Sequence, residues 1–128
     1  MKKMNEEKKM NALFELGLQF YNNGDYFDAH ESWEDLWSDY YFKDRKFIQG
    51  LIQLSVSFVH LKNDNMIGAK NLLKKCKNKF VIFKGFHRGI NINELLSSIE
   101  DIEKEYEKLN QTSDFNWRLV PYLRDANE

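Results

Sequence analysis

Cysteine and proline occur once each in the 128 residues, at Cys76 and Pro121, and glycine six times. A single cysteine closes no internal disulfide and builds no cysteine-rich metal site, which fits a reducing compartment. With glycine and proline so sparse and nowhere clustered, no interdomain linker is visible. No apolar run reaches the roughly 20 residues that span a bilayer. The opening MKKMNEEKKM is charged throughout and lacks the apolar stretch of a signal peptide, so the expected location is the cytoplasm. Neither charge sign prevails, because 19 Lys and Arg face 20 Asp and Glu. The chain as a whole therefore exerts no gross attraction on polyanions. What is abundant is apolar mass: 42% of residues are hydrophobic and 15% aromatic, with three Trp, six Tyr and ten Phe. That composition builds a core, and the length is that of one domain.

Apolar residues recur at helical spacing and nowhere alternate in the manner of strands, so the expected fold is all-α. About five helices are anticipated, packed as antiparallel hairpins in one domain over 1–128, with a core at about 12–110 and an apolar tail at 111–128. Leu13, Leu16, Gly17, Phe20 and Tyr21 trace one face of a first helix that stops near Asn22-Asn23-Gly24. Asp25 is placed to cap a second, reaching about Asp39. From Phe47 to Leu61 (FIQGLIQLSVSFVHL) no residue is charged, which marks a central buried helix. A fourth runs from Met66 to about Lys79. Phe80–Ile90 reads as an ordered loop or short extended piece. Asn91 and Glu94 resemble a capping box for a fifth helix ending at Leu109. The tail carries Phe115, Trp117, Leu119, Val120, Tyr122 and Leu123, and is expected to pack on the bundle or on a partner, leaving a homo-oligomer open.

Two resemblances accompany this pattern. Gly17, Phe20, Gly24, Tyr26, Ala29 and Trp33 fall where a tetratricopeptide hairpin places small and aromatic residues, and aligning Ala29 with Ala69 gives a faint second copy. One good copy amounts to helical-hairpin packing, since an array needs about three. A closer likeness covers roughly residues 12 to 96. Gly24-Asp25-Tyr26-Phe27-Asp28-Ala29-His30-Glu31 with Glu34 and Trp37, then Gln49-Gly50-Leu51-Ile52-Gln53 with His60, Asn65, Gly68, Ala69 and Leu72-Leu73, resemble the bacterial "domain of unknown function 309" family. That resemblance implies a small helical bundle and brings no established activity. Ser55 and Ser57 depart from it by standing where apolar residues are expected, and Phe80–Arg88 departs by being unusually aromatic and basic.

The candidate chemistry gathers on the second and third helices. With each residue advancing about 100° and Ala29 set at zero, Trp33, Tyr26 and Trp37 fall between about 40° and 80°. His30 and Glu34 follow at about 100° and 140°, side by side along the edge of that stripe, and Glu31 points outward at about 200°. On the third helix Gln49, Gln53, Val56 and His60 form one narrow polar path, whose amides and imidazole each need a partner once buried. The economical arrangement has His30 and Glu34 facing Gln49, Gln53 and His60. Three readings compete: a buried polar network that sets helix register, a small-molecule or protein-partner pocket edged by Trp33 and Trp37, or a divalent metal centre (Zn, Fe or Mn) on His30, Glu34 and His60. In the metal case Glu31 or Glu34 serves as base in a hydrolase. Against it, His30-Glu31-x-x-Glu34 lacks the second histidine of the zinc-protease motif.

A further alternative is RNA or another polyanion. No acidic residue lies between Asn65 and Asn93, while Lys70, Lys74, Lys77, Lys84 and Arg88 do, with Phe80, Phe83 and Phe86 interleaved. The overall balance favours a solvated face. The reading carried forward is a binding or interaction module rather than an enzyme.

Overall fold

The structure, a computed structural model, describes residues 2–124, with side-chain surroundings from Asn5 onward. Five helices follow in order: α1 (Lys2–Asn22), α2 (Tyr26–Asp39), α3 (Arg45–Lys62), α4 (Met66–Phe80) and α5 (Ile92–Lys108). Consecutive helices pack as antiparallel neighbours, and α3 is the most deeply enclosed. This is the expected all-α hairpin architecture. Among the described residues no helix is long and apolar enough to cross a membrane. The last four residues of the expected apolar tail lie outside the described ones.

Most helix boundaries follow local chemistry. Gly24, at φ 85°, turns the chain between α1 and α2, a left-handed conformation that glycine adopts without a Cβ clash. Asn65 and Asn91 are working caps: their Oδ1 atoms accept from the backbone N–H of Gly68 and Glu94 at 2.9 and 3.1 Å. Asp25 precedes α2 as expected, yet its carboxylate accepts from Asn23 Nδ2 instead of a helix N–H. α1 begins eleven residues before Leu13 because the charged N-terminal stretch continues the helix outward. Its buried face is Phe14, Gly17, Leu18 and Tyr21, an i, i+3, i+4, i+7 path, which leaves Leu16 exposed contrary to expectation.

α1 and α2 meet closely at Gly17, where an added Cβ would collide with the Trp33 indole. Trp33 Nε1 donates to Phe14 O at 3.2 Å and Ser32 Oγ to Leu13 O at 2.8 Å, so the two helices are also joined by hydrogen bonds. The two serines of α3 are buried. Ser57 Oγ donates to Ala69 O at 2.6 Å and lies 3.0 Å from Tyr106 Oη, linking α3, α4 and α5. Ser55 Oγ finds no partner.

The ambiguous stretch before α5 contains a minimal hairpin, β1 (Phe86–His87) and β2 (Ile90–Asn91), with His87 opposite Ile90. Its two loop residues, Arg88 and Gly89, have φ of 50° and 78°, the positive pair that a tight primed turn requires. Strands two residues long carry no periodicity to read. Beyond α5 the tail makes two 3₁₀ turns, Thr112–Asp114 and Trp117–Leu119, and buries Phe115 and Leu123 on its own chain.

Candidate functional site

α2 buries Tyr26, Ala29, Ser32, Trp33 and Leu36. On the wheel with Ala29 at zero, Ser32 and Leu36 fall near −60° and −20°, so the inward face is centred close to Ala29 itself. The expectation was skewed toward the tryptophans, and the correction moves every edge residue outward. Trp33 is wholly buried and rims nothing. His30 and Trp37 are half-buried on the shoulder, while Glu31 and Glu34 are exposed.

The imidazole and carboxylate do not turn toward the third helix. His30 Nδ1 donates to Phe27 O one turn back at 2.7 Å, and its ring lies edge-on to Phe27 at 5.0 Å. His60 Nδ1 accepts from Asn65 Nδ2 at 3.3 Å, and its ring rests against Gly68, where an added Cβ would come within 2.9 Å of it. Among the described residues no hydrogen bond joins His30 or Glu34 to Gln49, Gln53 or His60, so the expected network is not formed. Nor do any three His, Cys, Asp or Glu side chains among the described residues gather as a metal-ligand group. His30 and His60 bond to separate local partners and Glu34 is exposed, so among the described residues the ligand set expected for Zn, Fe or Mn does not come together.

The path along α3 is real in another sense. Gln49, Gln53, Val56 and His60 are all half-buried, a row between the flanks of α2 and α4. One polar atom on α3 and one on α2 are buried and unpartnered: Gln53 Oε1, an acceptor, and Trp37 Nε1, a donor. Trp37 stacks under the Arg45 guanidinium at 4.2 Å, one turn before Gln49, and Arg45 Nη1 donates to Tyr40 O at 2.5 Å.

Part of the basic segment is paired with acidic residues. Lys70 pairs with Glu107 at 3.8 Å, and Lys77 with Glu103 and Glu100 at 2.9 and 3.9 Å. The hydrogen bond that Lys77 donates to Glu103 raises the Lys77 pKa above the ordinary lysine value. α5 thus lays acidic residues along the face that carried the polyanion reading, and only Lys74 and Lys84 of that set stay exposed without an ion pair among the described residues. Cys76 is buried, and desolvation raises its thiol pKa far above the ordinary value, so it stays protonated.

One cluster was missed. Asp44 Oδ2 accepts from His87 Nε2 at 2.8 Å, and both its oxygens accept from Arg88. Burial pushes the Asp44 carboxyl up, but the hydrogen bonds and charges of Arg88 and His87 outweigh it and hold the pKa below 3.8. The His87 ring packs 4.5 Å from Phe47 and 4.7 Å from Phe83, and Arg88 lies 4.6 Å over Phe14. The one local signal was an aspartate just before an apolar helix, which reads as a cap. The Asp44 side chain makes no cap bond.

Comparison with known proteins agrees with the motifs. Residues 14–72, from α1 to the middle of α4, match the family described as "Domain of unknown function (DUF309)". The chain is similar to the uncharacterized protein YpuF of Bacillus subtilis (strain 168), 30% identical over 116 residues, which cover 86% of this chain and 63% of that protein. It is also similar to an uncharacterized protein of Aquifex aeolicus (strain VF5), 26% identical over 83 residues, 64% of this chain and 25% of that one. The chain therefore spans less than two thirds of either relative's length. The first motif and all of the second but Leu73 fall inside the matched region, so residues 14–72 match a DUF309 family domain.

Proposed function

We propose that this chain is a non-catalytic binding module whose reading surface is the face of α3 between α2 and α4. Gln49, Gln53 and His60 lie half-buried along it, and Trp37 is half-buried on the shoulder of the neighbouring α2. The observation that carries this reading is that two buried polar atoms on these neighbouring helices, Gln53 Oε1 and Trp37 Nε1, each lack a partner. An unpaired buried polar group costs about 1–3 kcal/mol, and a ligand that supplies a donor to the amide and an acceptor to the indole recovers that cost. A small molecule with an amide-like edge, or a partner's peptide group, has this chemistry. No hydrogen bond among the described residues ties the row into a purely structural network, which supports binding over register-setting.

A thermal-shift panel of small polar metabolites and short peptides tests the reading. The expected result is at least one ligand that raises the melting temperature of the unmodified chain but not of Gln53→Met or Trp37→Phe, both of which remain folded. A panel in which every stabilising ligand acts equally on all three proteins would remove this face from consideration.

A further inference from the structure

The row of helices is open at its ends: α1 and α5 touch each other little, and residues Thr112–Arg124 lie against both. This strap is held as a bound peptide is held. Among the described residues, no backbone-to-backbone hydrogen bond joins it to any helix, and its backbone bonds are internal to its two 3₁₀ turns. Every hydrogen bond to the bundle uses a bundle side chain. Asp64 takes Thr112 Oγ1 at 2.8 Å, Glu105 takes the Asn116 N–H at 3.4 Å, and Glu15 takes the Arg124 guanidinium.

Asn22 does more. Its Oδ1 accepts from Leu123 N at 3.0 Å while its Nδ2 donates to Leu123 O at 3.3 Å. A carboxamide so placed satisfies both backbone groups of one extended residue, as a neighbouring strand would, whatever side chain that residue bears.

The specific part lies six and eight residues upstream, in the aromatic rings of Trp117 and Phe115. Trp117 stacks on Tyr26 at 5.8 Å and 14°, and meets Phe58 at 6.0 Å. Phe115 stands edge-on to Trp117 at 5.0 Å and packs on Tyr106 at 5.5 Å. Lys62 Nζ lies 5.3 Å from the Trp117 ring and 5.1 Å from Tyr26. Asn22, Tyr26, Phe58 and Lys62 all lie within the matched domain, residues 14–72, whereas the strap lies outside it.

We propose that this groove is a docking site for an extended peptide bearing an aromatic-x-aromatic pair followed by an aliphatic residue, and that Thr112–Arg124 occupies it as an internal competitor. A tethered segment acts at an effective concentration of about millimolar, so a partner peptide enters only when it outbids the strap or when the strap is drawn away. The site is independent of the α3 face and of the reading given to it.

The test uses a labelled synthetic peptide of residues 111–124 titrated into the full chain and its variants. Phe115→Ala with Leu123→Ala weakens the internal strap, and that variant is expected to bind the peptide at least about tenfold more tightly than the unmodified chain. Adding Asn22→Leu is expected to cost about tenfold of that affinity, whereas Gln53→Met leaves it unchanged. A folded double variant that binds no better than the unmodified chain would overturn the proposal. Should the double variant fail to fold, the unmodified ¹⁵N-labelled chain decides: excess peptide is expected to shift the Trp117 indole signal to that of a released strap, and an unmoved signal overturns the proposal. Dimers that grow with concentration, with the strap seated on a second copy, would likewise overturn the internal-competitor assignment.

Discussion

The Asp44 carboxylate and the Arg88 guanidinium, 44 positions apart, are joined in parallel: Nε donates to Oδ2 at 2.5 Å and Nη2 to Oδ1 at 2.8 Å. This fork, with His87 on the same carboxylate, fastens the β-hairpin to the start of α3. A carboxyl whose pKa falls on folding stabilises the native state above its unfolded value and loses that contribution as pH drops through the folded one. Stability from this cluster is therefore complete above about pH 4 and declines below it. Asp44→Asn is expected to cost about 1–3 kcal/mol at pH 7 and to flatten the acid limb of the stability profile, read by urea titrations between pH 2 and 7. An unchanged acid limb would mean that the fork contributes nothing.

Gly17 and Trp33 set the spacing of α1 and α2. Gly17→Ala has a favourable propensity of about 1 kcal/mol in a helix, yet the added methyl has no room beside the indole. Overpacking of this kind costs about 1–3 kcal/mol, so a lower denaturation midpoint is expected. A midpoint that rises would show that the helices can separate freely.

The two buried serines of α3 make opposite predictions. Ser57→Ala orphans Ala69 O and Tyr106 Oη, with an expected loss of about 1–3 kcal/mol. Ser55→Ala deletes a hydroxyl that has no partner, so the variant is expected to be as stable as the parent or more so. Equal losses in guanidinium titrations would contradict the pairing described here.

Lys77 and Glu103 are partly exposed, and a double-mutant cycle between them is expected to return about 0.2–1 kcal/mol, shrinking as salt is added. Because α5 answers Lys70 and Lys77 with carboxylates, filter binding to single-stranded RNA is expected to be weak at low salt and unchanged by Lys77→Ala. Strong binding that falls steeply with salt and with this substitution would restore the polyanion reading.

Alkaline pH offers a separate probe of the interior. Burial raises the Tyr21 phenol well above its ordinary 10.0, with Tyr26, Cys76 and Tyr106 adding to the shift. A group whose folded pKa is raised loses its contribution as pH climbs past the unfolded value, so stability is expected to fall above about pH 10. Tyr21→Phe, whose hydroxyl has no partner to lose, is expected to reduce that fall. An identical alkaline limb in the variant would assign the loss to other groups.

Periodicity and capping in the sequence by themselves determined the five helices, their order and most of their ends. These are local properties: a buried stripe repeats every turn, and a cap sits within three residues of its target. The motif residues were legible for the same reason, down to the half-buried path of Gln49, Gln53 and His60. Only the tertiary structure decided which way each edge residue turned. His30 found a carbonyl in its own helix, His60 an asparagine across a turn, and Glu34 the solvent, where the sequence alone allowed all three to meet. The same holds for Lys70 and Lys77 beside α5, for Asp44 and Arg88, and for the strap on Asn22 and Tyr26. Those partners lie between about 25 and 100 positions apart in the chain, so no local pattern encodes them, and they are chosen by which charges, rings and backbone groups the packed helices bring within reach.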